Sequence, residues 1–555
     1  MTNSELKVEL NKRFSSMKAE NQLYTSSWKD IALYENPTRG QFNENKPTRG
    51  QMIDHKTLLD AYATGAIRKS ASVLNSGITP KSRPWFRLML ADLDLSSYAP
   101  VRQWLDIVQK KMADVMIGSN IYGVFQNSYE ELLTFGTSCF ILLEDYWTAI
   151  RGRSFTAGEY LLGIDYRGRV DSFGRAFPMT VFQMVQQFGL ESCSKQVQGH
   201  WKNNDKDKEF WIRHLIEPNT NRNMMMEDFM NMPFRSAYWE LGDQNSDMFL
   251  GMRGFKRFPV IAPRWSVPTT DMIYGYGPGW DALGDVKELQ KTKYDKLLAQ
   301  EKLHNPPMQK DASIEGYVNL FPGGVSTSTN NVPNAGLRPS YQINPNLESF
   351  IELIDQVKKS IDRHFYIDVF IMLAQLERNQ ITAQEIMARE QERTMVMGSI
   401  LNTIDEEKLS VVIEWVFGTL YDAGAFPPPP EEIEGMDIHV QYISIMAQAQ
   451  RALGISDIER VIGFVGANAQ IAPQMLDVIN WDEAVREIAD MQGIPAKLVN
   501  DPVMVQGVRE DRQAQQNNMI ALEAANSAAD TTKKLSEAEM DKGSALDGIM
   551  KGYKT

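Results

Sequence analysis

Tyr274-Gly-Tyr-Gly-Pro-Gly-Trp280 is the stretch with the clearest chemical promise, a glycine-rich loop directly ahead of a predicted helix of Asp281 to His304. Free amides at such a helix start can cradle a phosphate. The loop lacks the Gly-x-x-x-x-Gly-Lys-Ser/Thr spacing, and Asp281 sets a carboxylate where an anion would sit. The competing reading is a flexible corner whose acidic residue suits the helix dipole. Other chemistry is sparse. His55, His200, His214, His304, His364 and His439 are scattered, and none stands at metal-ligand spacing from another or from Cys139 or Cys193. Asp92-Leu-Asp94 approaches a carboxylate pair but precedes a turn, and an exposed pair is the simpler reading. There is no nucleophile elbow, Walker loop or zinc pattern. No cofactor and no metal is expected, and the chain does not read as an enzyme.

The elements that would position any site are numerous, because 555 residues exceed one ordinary core. A hydrophobic content of 43% with 23% charged residues is globular. The net charge of -13 argues against a surface that grips nucleic acid everywhere, though not against a channel through which it slides. Two cysteines make no disulfide framework, which fits an intracellular folding compartment. No signal pattern opens the chain and no apolar run approaches about eighteen residues, so neither secretion nor a membrane span is expected.

Leu6, Leu10, Phe14 and Met17 mark one face of a helix over residues 3–36, which ends near Pro37 with docking aromatics. Further helices are predicted from Leu58 to Leu74, from Pro100 to about Ile117 and from Val124 to Phe135. The period then changes. Strands are expected at Cys139 to Glu144, around Gly158-Glu-Tyr160, at Arg167 to Asp171 and at Phe177 to Thr180. A helix over Val181 to Phe188 follows, with strands at Phe210 to Ile216, Ser236 to Leu241 and Phe249 to Ala262. Trp201 to Lys208 reads as a solvated charged loop. Asn305-Pro-Pro307 ends the next helix. About forty residues rich in Gly, Pro, Ser, Thr and Asn then run to Asn346, with short strands expected at Gly316–Phe321 and Ser340–Ile343. So long a connection points to a function.

The stretch from Leu347 to Gly424 organises the remainder. Leu347, Ile351, Ile354, Ile361 and Phe365 form one apolar stripe, with Lys358, Lys359 and Arg363 off it. A break at Met372 to Gln380 follows, and Thr382-Ala-Gln-Glu385 reads as a capping box opening a second, longer helix. Ile386, Met397, Ile400, Ile404, Val411, Trp415 and Leu420 give that helix an intermittent apolar face up to the Pro427–Pro430 stop. Ile438, Val440 and Tyr442 alternate as a strand. Short helices are expected from Ser456, Asn480 and Pro502, and a frayed tail beyond Asn526.

Thr382-Ala-Gln-Glu-Ile386, Gly398-Ser-Ile-Leu401, the Tyr276 to Leu283 block and the early Trp28, Asp30-Ile-Ala32, Tyr34, Pro37, Phe42 series resemble, in order, the portal or head-to-tail connecting proteins of short-tailed, podovirus-type bacteriophages. The resemblance implies an α+β, mostly helical portal-ring protomer with an α/β wing, two-helix stem, clip insertion, long wing helix and helical crown. It places the N-terminal wing region at 1–279, stem helices at 280–305 and 347–370, the clip at 306–346 and a tunnel loop at 371–381. The long wing helix would occupy 382–424, a linker and returning strand 425–445, the crown 446–526 and a flexible tail 527–555.

That resemblance implies a subunit of a homo-oligomeric ring, a dodecamer, at one capsid vertex of the virion, made in the host cytoplasm. Double-stranded DNA, bound without sequence specificity, would enter and leave through the ring, and the tail would attach to it. Partners would be a large terminase or packaging motor, tail adaptor or nozzle proteins, scaffolding and major capsid protein, and internal core or ejection proteins. Gln375, Glu377, Arg378, Asn379 and Gln380 are the expected tunnel-loop contacts to DNA, and Lys358, Lys359 and Arg363 are candidate channel cations. Ile351, Ile354 and Ile361 are assigned to the ring interface. The alternatives are another head or tail structural adaptor, and a nucleotide-using enzyme acting through Gly275–Gly279.

Overall fold

The computed structural model describes residues 2–42, 58–82, 85–88, 90, 98–226, 228–242, 248–310, 317–319, 321, 337–340, 346–367, 398, 400–433, 460–467, 474, 479–491 and 502–539. The chain divides into two compact units. The first comprises Met1–Ala91, Ile107–Pro428 and Asp437–Ala447; the second comprises Asp92–Asp106, Pro429–Met436 and Gln448–Thr555.

Two antiparallel sheets build the first unit. Strands β1 (Cys139–Asp145), β2 (Ala149–Phe155) and β8 (Val260–Ile261) form one in the order β2-β1-β8. Strands β3 (Leu161–Ile164), β4 (Val170–Thr180), β5 (Glu209–Pro218), β6 (Phe234–Glu240) and β7 (Gly251–Phe255) form the other as a meander in chain order. Alternation along β5 decides what each face meets. Leu215 joins Leu161, Ala237 and Trp239 against Leu6, Leu10, Phe14 and Met17 of helix α1 (Asn3–Tyr34), the face expected from its spacing. Ile216 faces the other way, into a core with Phe173, Phe155, Phe135, Tyr274 and the end of α1 at Trp28 and Ile31. Helices α2 (Tyr62–Ile78) and α4 (Ile121–Phe135) pack together, and α4 leads into β1. Helix α3 spans Ala99–Gly118. Helix α5 (Val181–Phe188) has the predicted bounds because Thr180 and Gln183 close a capping box.

Several expectations shift for local reasons. Helix α2 begins at Tyr62, not Leu58, because the Leu59 and Asp60 amides donate to Gln290 Oε1. The segments around Gly158 and Gly168 are turns that precede β3 and β4; Asp165 Oδ1 accepts the Arg167 and Arg169 amides and folds the chain back. The expected strand of Phe249 to Ala262 is two strands, β7 and β8. The start of the supposed charged loop is helix α6 (Lys195–Lys202), capped by Ser194, with Trp201 stacked near Phe182. Strand β2 had no counterpart in the sequence reading.

Helix α7 (Pro278–His304) and helix α8 (Leu347–His364) flank the long insertion and pack on each other. The insertion's described strands lie at its base: β9 (Met308–Lys310) pairs antiparallel with β10 (Leu337–Pro339). Tyr317, Val318 and Asn319 are not strand, contrary to expectation, and Asn319 Oδ1 accepts the Phe321 amide in a local bend. The expected strand at Ser340–Ile343 is not formed at Ser340, where the Ser340 amide closes on Pro307 O, and its remainder lies outside the described residues.

Of the long helix, residue 398 and residues 400–422 are helical, with a π-helical turn at Asp405–Leu409 leading into α9 (Ser410–Asp422). The turn adds a residue to the repeat. The buried face therefore runs Ile404, Lys408, Val412, Val416 and Leu420, and Val412 replaces the expected Val411. The Thr382 capping box, Ile386, Met397, the Ile438–Tyr442 strand and the Ser456 capping box lie outside the described residues.

In the second unit, residues 460–467 are helical, followed by α10 (Trp481–Met491) and α11 (Pro502–Glu539). Asn480 Oδ1 accepts the Glu483 amide at the start of α10, and Arg509 of α11 makes a two-pronged ion pair with Asp482. Helix α11 runs past Asn526 to Glu539, with its described side chains there exposed. Ala, Gln, Glu and Lys are strong helix formers even where no core holds them.

Candidate functional site

The two helices around the insertion are built for opposite ends of a rod. Pro278 opens α7 at its first position, Asp281 lies in its first turn, and Lys302 and His304 lie in its last. Asn346 caps α8 by accepting the Glu348 and Ser349 amides, and Arg363 and His364 close it. Ile354, Val357 and Ile361 are buried. The pair is bound at its root by residues just ahead of α2. Gln290, on α7, accepts the Leu59 and Asp60 amides at 2.7 and 2.9 Å and donates to Asp60 O at 2.6 Å. Asp60 Oδ2 stands 3.3 Å from Lys293 Nζ and 3.8 Å from Lys358 Nζ, one lysine from each helix. Tyr62 donates to Asp362 Oδ2 at 2.7 Å, and Lys358 lies over its ring. One short segment therefore ties both helices to the body.

Past α8 the chain turns sharply. Tyr366 has φ 55°, a left-handed conformation costly for a bulky residue, and Phe365 O accepts from Ser70 Oγ. The Tyr366 ring packs near Trp265. Beside it, Arg264 is a hub. It donates to Met272 O and Gly168 O and forms a forked pair with Glu407 of the π-helical turn, at 2.5 Å from Nη2. The next residue, Lys408, is fully buried with Nζ 3.2 Å from the Tyr129 ring centroid, and burial pushes its amine well below the ordinary lysine range. A π turn lets the adjacent Glu407 and Lys408 both reach the body. At the far end, Asp422 pairs with Lys256 and Arg257, and Lys111 donates to Ala425 O.

The glycine loop is not a phosphate cradle. A Cβ on Gly277 would sit 2.6 Å from Leu132 O, and one on Gly279 would sit 2.3 Å from Thr134 O and 2.5 Å from Glu35 Oε2. The space a ligand would need is filled by backbone, and the Gly275 amide already donates to Thr137 Oγ1. Glu35 is fully buried, with no hydrogen-bond partner for either carboxyl oxygen among the described residues, and burial raises its pKa well above the usual carboxylate range. A neutral acid seated against the start of α7 serves packing.

The residues singled out from the sequence separate as follows. Lys358 is committed to Asp60 and Tyr62, while Lys359 and Arg363 are exposed. Ile354 and Ile361 are covered by the chain's own packing, whereas Ile351 is 47% exposed beside the exposed Leu353. Gln375, Glu377, Arg378, Asn379 and Gln380 lie outside the described residues. The sequence reading missed the clamp of Asp60, Tyr62 and Gln290 and the Arg264–Glu407 hub. Gln290 alone left a trace, as a polar residue beside Val286 and Leu289 on the buried face of α7. Among the described residues no group of His, Cys, Asp and Glu has the arrangement of a metal site, and no helix is long and apolar enough to cross a membrane.

Residues 7–499 match the family described as bacteriophage head to tail connecting protein. The chain is 34% identical over 544 residues to the portal protein of Salmonella phage epsilon15, covering 98% of both chains. It is likewise 34% identical over 542 residues to the probable portal protein of Bordetella phage BPP-1, covering 98% of this chain and 97% of that one.

Proposed function

Since the chain belongs to the bacteriophage head-to-tail connecting protein family, we propose that it works as a ring subunit through which the phage genome enters and leaves the capsid. Its portal or connector role follows from the match along nearly the whole chain to named portal proteins, and those relatives are structural proteins with no enzymatic family indicated. That match carries the reading.

In this reading α7 and α8 form the stem and residues 306–346 the clip, which meets the packaging motor and later the tail. Three features support it: an insertion between two packed helices, a short antiparallel ladder at its base, and a root clamp that ties both helices to the body. Residues 371–381 are the tunnel loop, with Gln375, Asn379 and Gln380 as weak polar contacts and Glu377 and Arg378 cancelling in charge. Lys359 and Arg363 are the exposed cations of α8 left for a passing duplex. Weak contacts suit translocation, because strong ones would hold the phosphates fast. Ile351 and Leu353 are the apolar side chains of α8 open to a neighbouring subunit. The ring sits at one capsid vertex of the virion, with double-stranded DNA, the packaging motor, tail, scaffold and internal core proteins as partners.

Negative-stain images of the purified chain test the ring directly. Annular particles with a central hole are expected, and their absence at every concentration would refute it. Ile351→Asp should shift the particles toward single chains in sedimentation while leaving the fold intact. Ile361→Asp should instead destabilise the chain itself by several kcal/mol, since it would bury a charge within the α7–α8 pair.

A further inference from the structure

Arginines converge on one row of the five-stranded sheet. Cross-strand register sets Arg175 on β4 beside His214 on β5 and Tyr238 on β6, with Gly251 next on β7. The diagonal neighbour, Arg253, pairs with Ser236. Arg153 reaches the same place from β2, because its guanidinium and that of Arg175 both lie over the Phe155 ring, at 5.5 and 5.2 Å. Arg175 also covers Phe177 at 3.9 Å. Its Nε donates to His214 Nδ1 at 3.4 Å, so the imidazole is the Nε2–H tautomer and donates to Ser236 Oγ at 3.0 Å. The ring stacks flat on Tyr238 at 3.8 Å.

This cluster has cations without ion-pair partners among the described residues. Arg175 is 9% exposed, yet none of Arg153, Arg175 and Arg253 forms an ion pair among the described residues. The nearest carboxylate, Glu159, accepts the Thr156 amide and acts on Arg175 through space without forming an ion pair. Burial, with Arg153 beside it, holds the Arg175 pKa down to about 10, and the same two arginines help burial keep His214 neutral. A buried charge left without an anion is costly, so the arrangement is incomplete in the single chain. Stacking uses the flat faces of the Arg153 and Arg175 guanidinium groups; Arg175 also spends edge donors on His214 and Tyr238, so the edge N–H donors left for a planar oxyanion are chiefly those of Arg153 and Arg253. Arg153 and Arg253 are exposed and stand at the entrance.

We propose that Arg153, Arg175 and Arg253 receive a carboxylate presented by a neighbouring copy of the chain. The inference rests on the ring reading above. The chain carries 71 acidic against 58 basic side chains, so a second copy has acidic surface in excess to offer this basic spot. In a ring, contacts are heterologous, and each copy shows a donor patch to one neighbour and an acceptor patch to the other. Delivery on a neighbour suits a receptor floored by a buried arginine between aromatic rings, because a free ion would shed its hydration for one partly exposed contact.

Sedimentation of the full chain at low and high salt tests this. The wild type should form rings whose assembly weakens with salt, and Arg153→Glu with Arg253→Glu should raise the half-assembly concentration tenfold or more. Arg175→Gln should weaken assembly in the same direction with little change in the melting temperature of the single chain. In assembled rings of Arg253→Lys, a zero-length carbodiimide should join Lys at 253 to an acidic peptide of another copy. Wild-type rings matched by both sets of variants, with equal salt dependence, would overturn the inference and leave the ring reading standing. A wild type that never forms rings would overturn both. Inorganic phosphate that stabilises the wild type through these arginines while leaving assembly unchanged would also overturn it.

Discussion

Arg264, at the neck beside the long helix, and Arg175, on the five-stranded sheet, are 5% and 9% exposed, and each is surrounded by well-packed neighbours. Arg264 has its anion: Glu407 takes its amide and its guanidinium edge, and two backbone carbonyls accept the remaining donors. Arg175 has an imidazole, the Tyr238 hydroxyl, two aromatic faces, other arginines and only the through-space pull of Glu159. The first is a finished structural joint that fixes the π-helical turn to the body. The second is complete only with a charge from outside. Buried arginines thus serve stability or recognition according to whether the chain supplies the counterion.

The strongest way to break this contrast is Glu407→Gln. It leaves Arg264 buried without its anion and should cost about 3 kcal/mol in denaturant unfolding. Arg175→Gln under conditions of no assembly should cost less than about 1 kcal/mol, because it removes an unpaired charge rather than a partner. Equal losses would erase the distinction.

Lys408 sharpens the contrast through pH. Its folded pKa is depressed by burial, so above that value the folded chain holds one proton fewer than the unfolded chain until pH passes the ordinary lysine range. Stability therefore rises with pH from the depressed folded value up to the ordinary lysine range, about pH 10, by about 1.4 kcal/mol per unit from this group. Lys408→Met should remove that slope in urea midpoints measured at pH 7 and pH 9, and an unchanged slope would assign it elsewhere.

Glu35 gives the opposite sign and a smaller effect. Its raised pKa means that its contribution is full below the unfolded carboxyl range and declines as pH rises above about 4.5. Glu35→Gln should thus gain about 1 kcal/mol relative to the parent at pH 8 and little at pH 4.5. A gain independent of pH would show that the carboxyl is already ionised at its seat against Gly279.

Periodicity made much of the scaffold legible. The α1 stripe of Leu6, Leu10, Phe14 and Met17, the α5 bounds, the start of α10 at Asn480 and the alternation in β5 and β6 all follow from short-range rules. The family was legible as well, through ordered blocks rather than any catalytic motif. Boundaries shifted where a distant residue competed: Gln290 delays α2, and Ser70 takes the Phe365 carbonyl where α8 closes at His364. The glycine loop looked like chemistry because glycine marks close approach without saying what approaches, and here it is the Leu132 and Thr134 carbonyls.

By itself, then, the sequence determined most of the helices, the strands β1, β5 and β6 and the kinship with connectors, because these rest on local spacing and ordered blocks. Only the tertiary structure decided that Val412 rather than Val411 faces the core, that Ile354 and Ile361 are spent within the chain while Ile351 is not, and that Arg264 is paired while Arg175 is not. The π turn shifts the repeat at Val412, and elsewhere the reason is distance along the chain. Burial and charge pairing depend on neighbours more than a hundred residues away, as Arg264 and Glu407 are, and no local period encodes which of them will meet.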